Sequence, residues 1–293
     1  MNASPVTVSA LGRARAWSTN PWARARFLWA IAIAYVVWTL LPVFIAVAFS
    51  FNAGKAQTTW QGFSLTRWYV SDVNSLWKDE TLRSALFQSL KLSGLTVLIA
   101  VPFGVGFALA LDRWQSRSAS AANFLMLFSF ITPEIAIGVG LFLMFTRLAS
   151  GIGLGFKAQL FGLSMFEMAY PVIVVRARML SIGKQYEEAA MDLGATPLGA
   201  MRRVLLPMLS PAIFASIAIV FASAIDNFVI SERLSVNAAT QTIPIIIYSS
   251  ARRSPLPSLN ALATVTLVSS TVVVATAALL YRRFTKTERA PAG

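Results

Sequence analysis

The chain has 293 residues, 56% of them hydrophobic and only 13% charged, with a mean hydropathy of +0.65 and a formal net charge of +13. It contains no histidine and no cysteine, which removes disulfide frameworks, the usual zinc sites and Cys/His catalysis, so neither a metal site nor a catalytic group is expected. The basic excess would suit nucleic acid, but it is scattered between long apolar runs, as in membrane loops facing an anionic leaflet; the expected partner is membrane lipid and no nucleic acid.

Residues 1 to 26 carry Arg13, Arg15, Arg24 and Arg26 and no acid, and residues 27 to 54 carry no charge at all. That pattern predicts a basic cytoplasmic segment and a first transmembrane helix over about residues 27 to 51. Ala46-Val47-Ala48 faintly resembles a signal cleavage site, but the apolar core is about twice the length of a signal-peptide h-region, which favours a retained helix. Residues 52 to 83 are polar and mixed in sign, with Trp60, Trp68, Tyr69 and Trp77 suited to an interface, and read as an external loop. A second span is expected over 84 to 111, with Lys91 near its outer end, where a long side chain reaches water.

A third span, over 121 to 145, contains Pro133-Glu134, and a fourth, over 160 to 180, contains Glu167 and Tyr170-Pro171. A carboxylate inside a span is costly and a proline there frees a carbonyl, so both must face protein or water. Between them the sequence GIGLGF, residues 151 to 156, lacks the strand and helix context of a nucleotide fingerprint and reads as a glycine-rich external turn. A fifth span is expected over 212 to 230, a sixth over 258 to 281, and a basic tail over 282 to 293. Counting Lys and Arg, the two termini, the second-to-third link and the 181–211 loop, taken with Arg176 and Arg178 at the end of the fourth span, hold fifteen against nine for the opposite loops. Both termini are therefore expected in the cytoplasm, and the protein in a bacterial inner membrane.

The loop over 181 to 211 is a polar island in this apolar chain. Tyr186, Ala189, Ala190 and Leu193 recur at the spacing of a short amphipathic helix, with acids in its first turn and Gly194 positioned as its left-handed stop. Thr196 and Pro197 then read as an N-cap and a first helical position, starting a second helix that runs to about Leu206, where Pro207 and Pro211 are expected to interrupt it. The island also contains Gly194-x4-Gly199, half of a phosphate-binding loop, but Ala200 stands where the lysine belongs and no strand precedes it. This chain cannot be an ATPase.

Glu188-Ala189-Ala190, three residues, Gly194, nine residues, Val204, one residue and Leu206-Pro207 together resemble the EAA loop of the membrane subunits of binding-protein-dependent ABC importers. Val204 stands where that pattern usually has isoleucine. The resemblance implies an all-α, six-span permease of the type I importer fold, whose first island helix docks on a separate ATPase. Glu187, Glu188, Ala189, Ala190, Gly194, Leu206 and Pro207 would form the coupling site, and ATP would be bound by an ATPase dimer with no cofactor held here. A second permease subunit and an external solute-binding protein complete the implied assembly.

SAIDNFVIS, TQTIPIIIYSSARRSPLPSLNALAT, RARMLSIGKQYEEAAMDLGA and Pro133-Glu134-Ile135 extend the resemblance over roughly residues 80 to 281, to the second permease of spermidine/putrescine importers. Members of that group commonly carry two acids before Phe-Val-Ile; here the pair is Asp226-Asn227. A cation crossing a low-dielectric path needs compensation from carboxylates or aromatic faces, so Asp226 is the first candidate to face cargo, with Glu134 and Glu167 behind it. The competing role for each acid is pinning of helix packing. Importers of amino-acid-like solutes, phosphonates or iron share the loop, and an ion-gradient-driven secondary transporter could use the same three acids as a relay. An intramembrane protease lacks support, because Asp226 has no aspartate partner within a span and no serine has a lysine placed beside it.

Overall fold

The structure is a computed structural model and describes residues 25–56, 59–113, 121, 124, 128, 131–253 and 257–288. The chain divides into two units, Met1–Phe49 and Ser50–Gly293. In the first, helix α1 (Ala25–Phe49) is apolar on all sides and uncharged from Phe27 onward; those 23 residues rise about 34 Å, enough to cross a bilayer.

The second unit begins with a loop that organises itself. Asn52 is fully buried; its side chain donates to the carbonyls of Ala56 and Thr59 and accepts from the N–H groups of Gly54 and Gln61. The indole of Trp68 donates to the Asn52 carbonyl at 2.7 Å, and Asn52 and Phe63 form a β-bridge.

Further helices follow among the described residues. They are α2 (Glu80–Arg113), α3 (Glu134–Leu143, continued by a π turn to Leu148), α4 (Phe156–Glu167), α5 (Ala169–Ile182), α6 (Gln185–Asp192), α7 (Pro197–Ala200), α8 (Leu206–Asp226) and α9 (Val229–Leu234). After a single 3-10 turn come α10 (Ile243–Arg253) and α11 (Ser258–Glu288). Five helical stretches among the described residues are long and apolar enough to cross a membrane: Phe27–Phe49, Glu80–Arg113, Phe156–Ile182, Pro197–Asp226 and Ser258–Arg282. They overlap the stretches expected as the first, second, fourth, fifth and sixth spans. Most of residues 121 to 130, the first part of the third, lie outside the described residues.

The core is built where α2, α5 and α8 meet: Ala100, Val101 and Val105 pack on Val172, Val175 and Met179 and on Leu209, Ala212 and Val220. A second cluster joins Leu82 and Leu86 of α2 to Ile243 and Ile246 of α10 and Leu262 of α11; a third joins Leu141 and Phe145 to Leu163 and to Ile230 and Leu234. α2 and α5 approach closely because position 104 is glycine. A Cβ there would lie 2.7 Å from Pro171 Cγ and 2.8 Å from the Met168 carbonyl oxygen.

Two expectations are corrected. Pro207 and Pro211 do not interrupt the second island helix, which continues from Pro197 to Asp226. A π turn over Met201–Leu205 stands directly before Pro207; its wider winding accommodates a ring that would strike the carbonyl four residues back in a regular α-helix. The fifth span ends at Asp226, not Ile230, because Asn227 adopts an extended backbone (φ −66°, ψ 112°) and starts the next helix with its side chain.

Candidate functional site

Two broken spans meet at their breaks. α3 starts at Glu134, just after Pro133, and α8 stops at Asp226. Asn227 joins them: its side-chain N–H donates to Glu134 Oε1 at 2.6 Å, and its Oδ1 accepts from the N–H groups of Ile230 (3.1 Å) and Ser231 (3.4 Å), serving two of the free donors in the first turn of α9. One turn earlier on α8, Ser223 donates to Glu167 Oε1 at 2.8 Å. Acids from two different elements are thus held by residues four apart on a third.

The three acids differ in access. Glu167 is completely buried inside this subunit, at the break between α4 and α5, and its second carboxyl oxygen has no hydrogen-bond partner. The break itself follows from Pro171, which has no N–H to give the Glu167 carbonyl. Glu134 is half-buried. Asp226 is exposed and makes no hydrogen bond or ion pair among the described residues. It stands at the C-terminus of α8, where the unpaired carbonyls of the helix add to its negative charge and favour a cation. Two residues on, Phe228 packs against Tyr248 with ring centroids 4.8 Å apart, and the Arg252 guanidinium lies 4.6 Å above the Tyr248 ring, so that aromatic face already holds a cation.

In the island, α6 has Glu187 and Glu188 in its first turn and buries none of its residues. Glu188 and Ala189 are exposed and Ala190 half-exposed; Tyr186, Met191, Leu193 and Leu198 add exposed apolar surface on and beside the helix. Glu187 is turned to Arg113, with which it forms an ion pair. Gly194 takes φ +89°, a value that only glycine adopts readily, and Thr196 accepts the Gly199 N–H as an N-cap. Leu206 packs toward the core cluster instead of outward, while Pro207 is exposed.

Local reading missed three residues. Gln159, fully buried, donates to the carbonyls of Ser231 and Thr240 (2.8 Å each) and accepts from Gln88 at 3.0 Å, tying α2, α4, α9 and the loop beyond it. It is a polar residue in an apolar helix, the same signal that flagged Glu167. Asn227 and Arg113 carried no such signal, since their partners lie 93 and 74 residues away.

The family described as binding-protein-dependent transport system inner membrane component matches residues 100–286, well over half of the sequence. This chain belongs to that family. The permease is 34% identical over 246 residues to the putrescine transport system permease protein PotI of Escherichia coli (strain K12), an alignment covering 82% of the permease and 85% of PotI. It is 31% identical over 246 residues to the spermidine/putrescine transport system permease protein PotC of the same organism, covering 84% and 90%. Among solved structures, a bacterial ABC transporter for the acidic polysaccharide alginate superposes with a TM-score of 0.69 at 21% identity, over 92% of the permease and 99% of that chain. The MetNI methionine ABC transporter superposes with a TM-score of 0.60 at 16% identity, over 70% and 96%. These structures establish the fold: the permease is an all-α, multi-pass membrane subunit of the type I importer architecture. It is a transport component and not an enzyme.

Proposed function

We propose that the permease forms half of the translocation path of a polyamine importer, with putrescine or spermidine as cargo. The identity to PotI and PotC over more than four fifths of the chain carries this reading. The chemistry at the end of α8 supports it: an exposed, unpaired Asp226 at a helix C-terminus and the half-buried Glu134 suit a small organic cation. Glu167, enclosed by its own subunit, positions α8 instead of touching cargo.

In this proposal the N-terminus and the tail lie in the cytoplasm, a second, different permease completes the pore, and a solute-binding protein delivers cargo from outside. α6 seats on a separate ATPase through Glu188, Ala189 and Ala190, and Gly194 sets the corner that leads into α8. The exposed apolar surface of α6 supports that docking, because a helix that buries nothing in its own chain has a face free for another.

The test is uptake of labelled putrescine and spermidine into vesicles holding the assembled complex, with ATP supplied to one set and a proton or sodium gradient to the other. ATP-dependent uptake that requires the binding protein is the expected result. ATP-dependent assembly without polyamine uptake would overturn the cargo, and gradient-driven uptake by this chain alone would overturn the importer.

A further inference from the structure

α6 is attached to the rest of the subunit in an unusual way. Glycines with positive φ bracket it, Gly183 at +76° and Gly194 at +89°, and nothing lies within 4 Å of where a Cβ on Gly194 would be. Backbone joints of this kind bend easily and transmit a push poorly. Among the described residues, the side chains of 185–192 make one hydrogen-bonded ion pair with a distant element, that of Glu187 with Arg113.

The placement of the two partners is specific. Arg113 is the last residue of α2, where free carbonyls attract a cation, and Glu187 lies in the first turn of α6, where free N–H groups attract an anion. Each charge is therefore favoured by its own helix end and by the other charge. The Glu187 side chain is only 16% exposed, whereas Glu188 beside it is exposed and unpaired. From Arg113, α2 runs back to Gly104, which rests directly on the Met168–Pro171 break beside Glu167.

We infer, on the importer reading proposed above, that the Arg113–Glu187 pair is the strut that carries movement of α6 into α2. Glu187 is then a positioning residue of the coupling machinery, acting through Arg113, and Glu188 is the acid left for the ATPase. Movement of the docking helix reaches the membrane by two routes, along α8 through the glycine corner and along α2 through the ion pair.

The experiment uses the complete complex of both permeases, ATPase and binding protein in liposomes, with R113E, E187R and the exchanged pair R113E/E187R. Three quantities are read: ATPase subunit retained on affinity-purified permease, stimulation of hydrolysis by the binding protein, and uptake of labelled putrescine. A partly exposed ion pair adds little to folding, so all three variants assemble. Each single variant keeps its ATPase but loses uptake and stimulation about ten-fold, and the exchanged pair regains most of both. The strut is overturned if E187R sheds the ATPase while R113E works normally, since Glu187 would then be a docking contact. It is equally overturned if the exchanged pair does no better than either single variant. Wild-type complex that binds ATPase but takes up no putrescine refutes the cargo alone, and the pattern of stimulated hydrolysis still decides the strut. Wild-type permease that retains no ATPase refutes the importer reading and the strut together.

Discussion

Replacing Asn227 by aspartate separates the two tasks of that side chain. Asn227 is 8% exposed, and its oxygen serves Ile230 and Ser231 while its nitrogen serves Glu134 at 2.6 Å. Aspartate keeps the first task and abolishes the second. The lost bond, to a charged acceptor, is worth about 1.5–3 kcal/mol. Two carboxylates would then face each other, and at 4 Å and an effective dielectric of 20 their repulsion adds up to about 4 kcal/mol before local rearrangement. Asn227→Leu instead loses the donor and also the capping acceptor, about 0.5–2 kcal/mol more than the bond itself, with no repulsion. Adding Glu134→Gln to the aspartate variant supplies an amide donor from the opposite side and restores the bond. The assay is thermal or denaturant unfolding in detergent, followed by uptake. Asn227→Asp is expected to destabilise by about 3 kcal/mol or more, with at least half recovered in the double variant. Equal stability of the aspartate variant and the double variant would refute the idea that Glu134 and Asn227 hold the two breaks together.

Gly104→Val places a branched side chain against Pro171 Cγ and the Met168 carbonyl, and is expected to cost about 1–3 kcal/mol or more in unfolding measurements. Gly106→Ala, two residues on with nothing within 4 Å, should be neutral or stabilising by about 0.5–1 kcal/mol. Gln159→Leu strands Gln88 and the carbonyls of Ser231 and Thr240, and should destabilise by about 3 kcal/mol or more at roughly 1–3 kcal/mol for each orphaned group. Asp226→Asn should leave unfolding unchanged, since the carboxylate has no partner among the described residues, but reduce polyamine uptake; full uptake would remove Asp226 from the path.

The parts of the molecule that were legible in the sequence are those whose cause is local. Thr196 and Pro197 announce a helix start, Gly194 announces a corner, and uncharged runs announce spans, because each depends on backbone preferences within a few residues or on exclusion from lipid. Pro207 misled for the same reason: its local rule is to break a helix, and only the π turn before it, held in a packed span, shows how the rule is evaded. Glu167 could be recognised as a costly residue but not assigned a direction, since facing Ser223 or facing a pore leaves the same sequence. Asn227 could be recognised only as an acid neutralised. Its acceptor, Glu134, belongs to another element, and the pairing of Glu187 with Arg113 is hidden by the same separation.

The bareness of α6 bears on the life of the protein before it is assembled. A newly made copy presents Tyr186, Met191, Leu193 and Leu198 to water, with Leu193 90% exposed, on and beside a helix that contributes no buried residue to its own subunit. Among the described residues this helix is held to a distant element by one ion pair, near its first turn, and both flanking joints are glycine. Such a copy displays the kind of sticky, loosely held segment that chaperones and proteases recognise, and on the docking proposed above its cellular lifetime is set by how soon the ATPase covers that face.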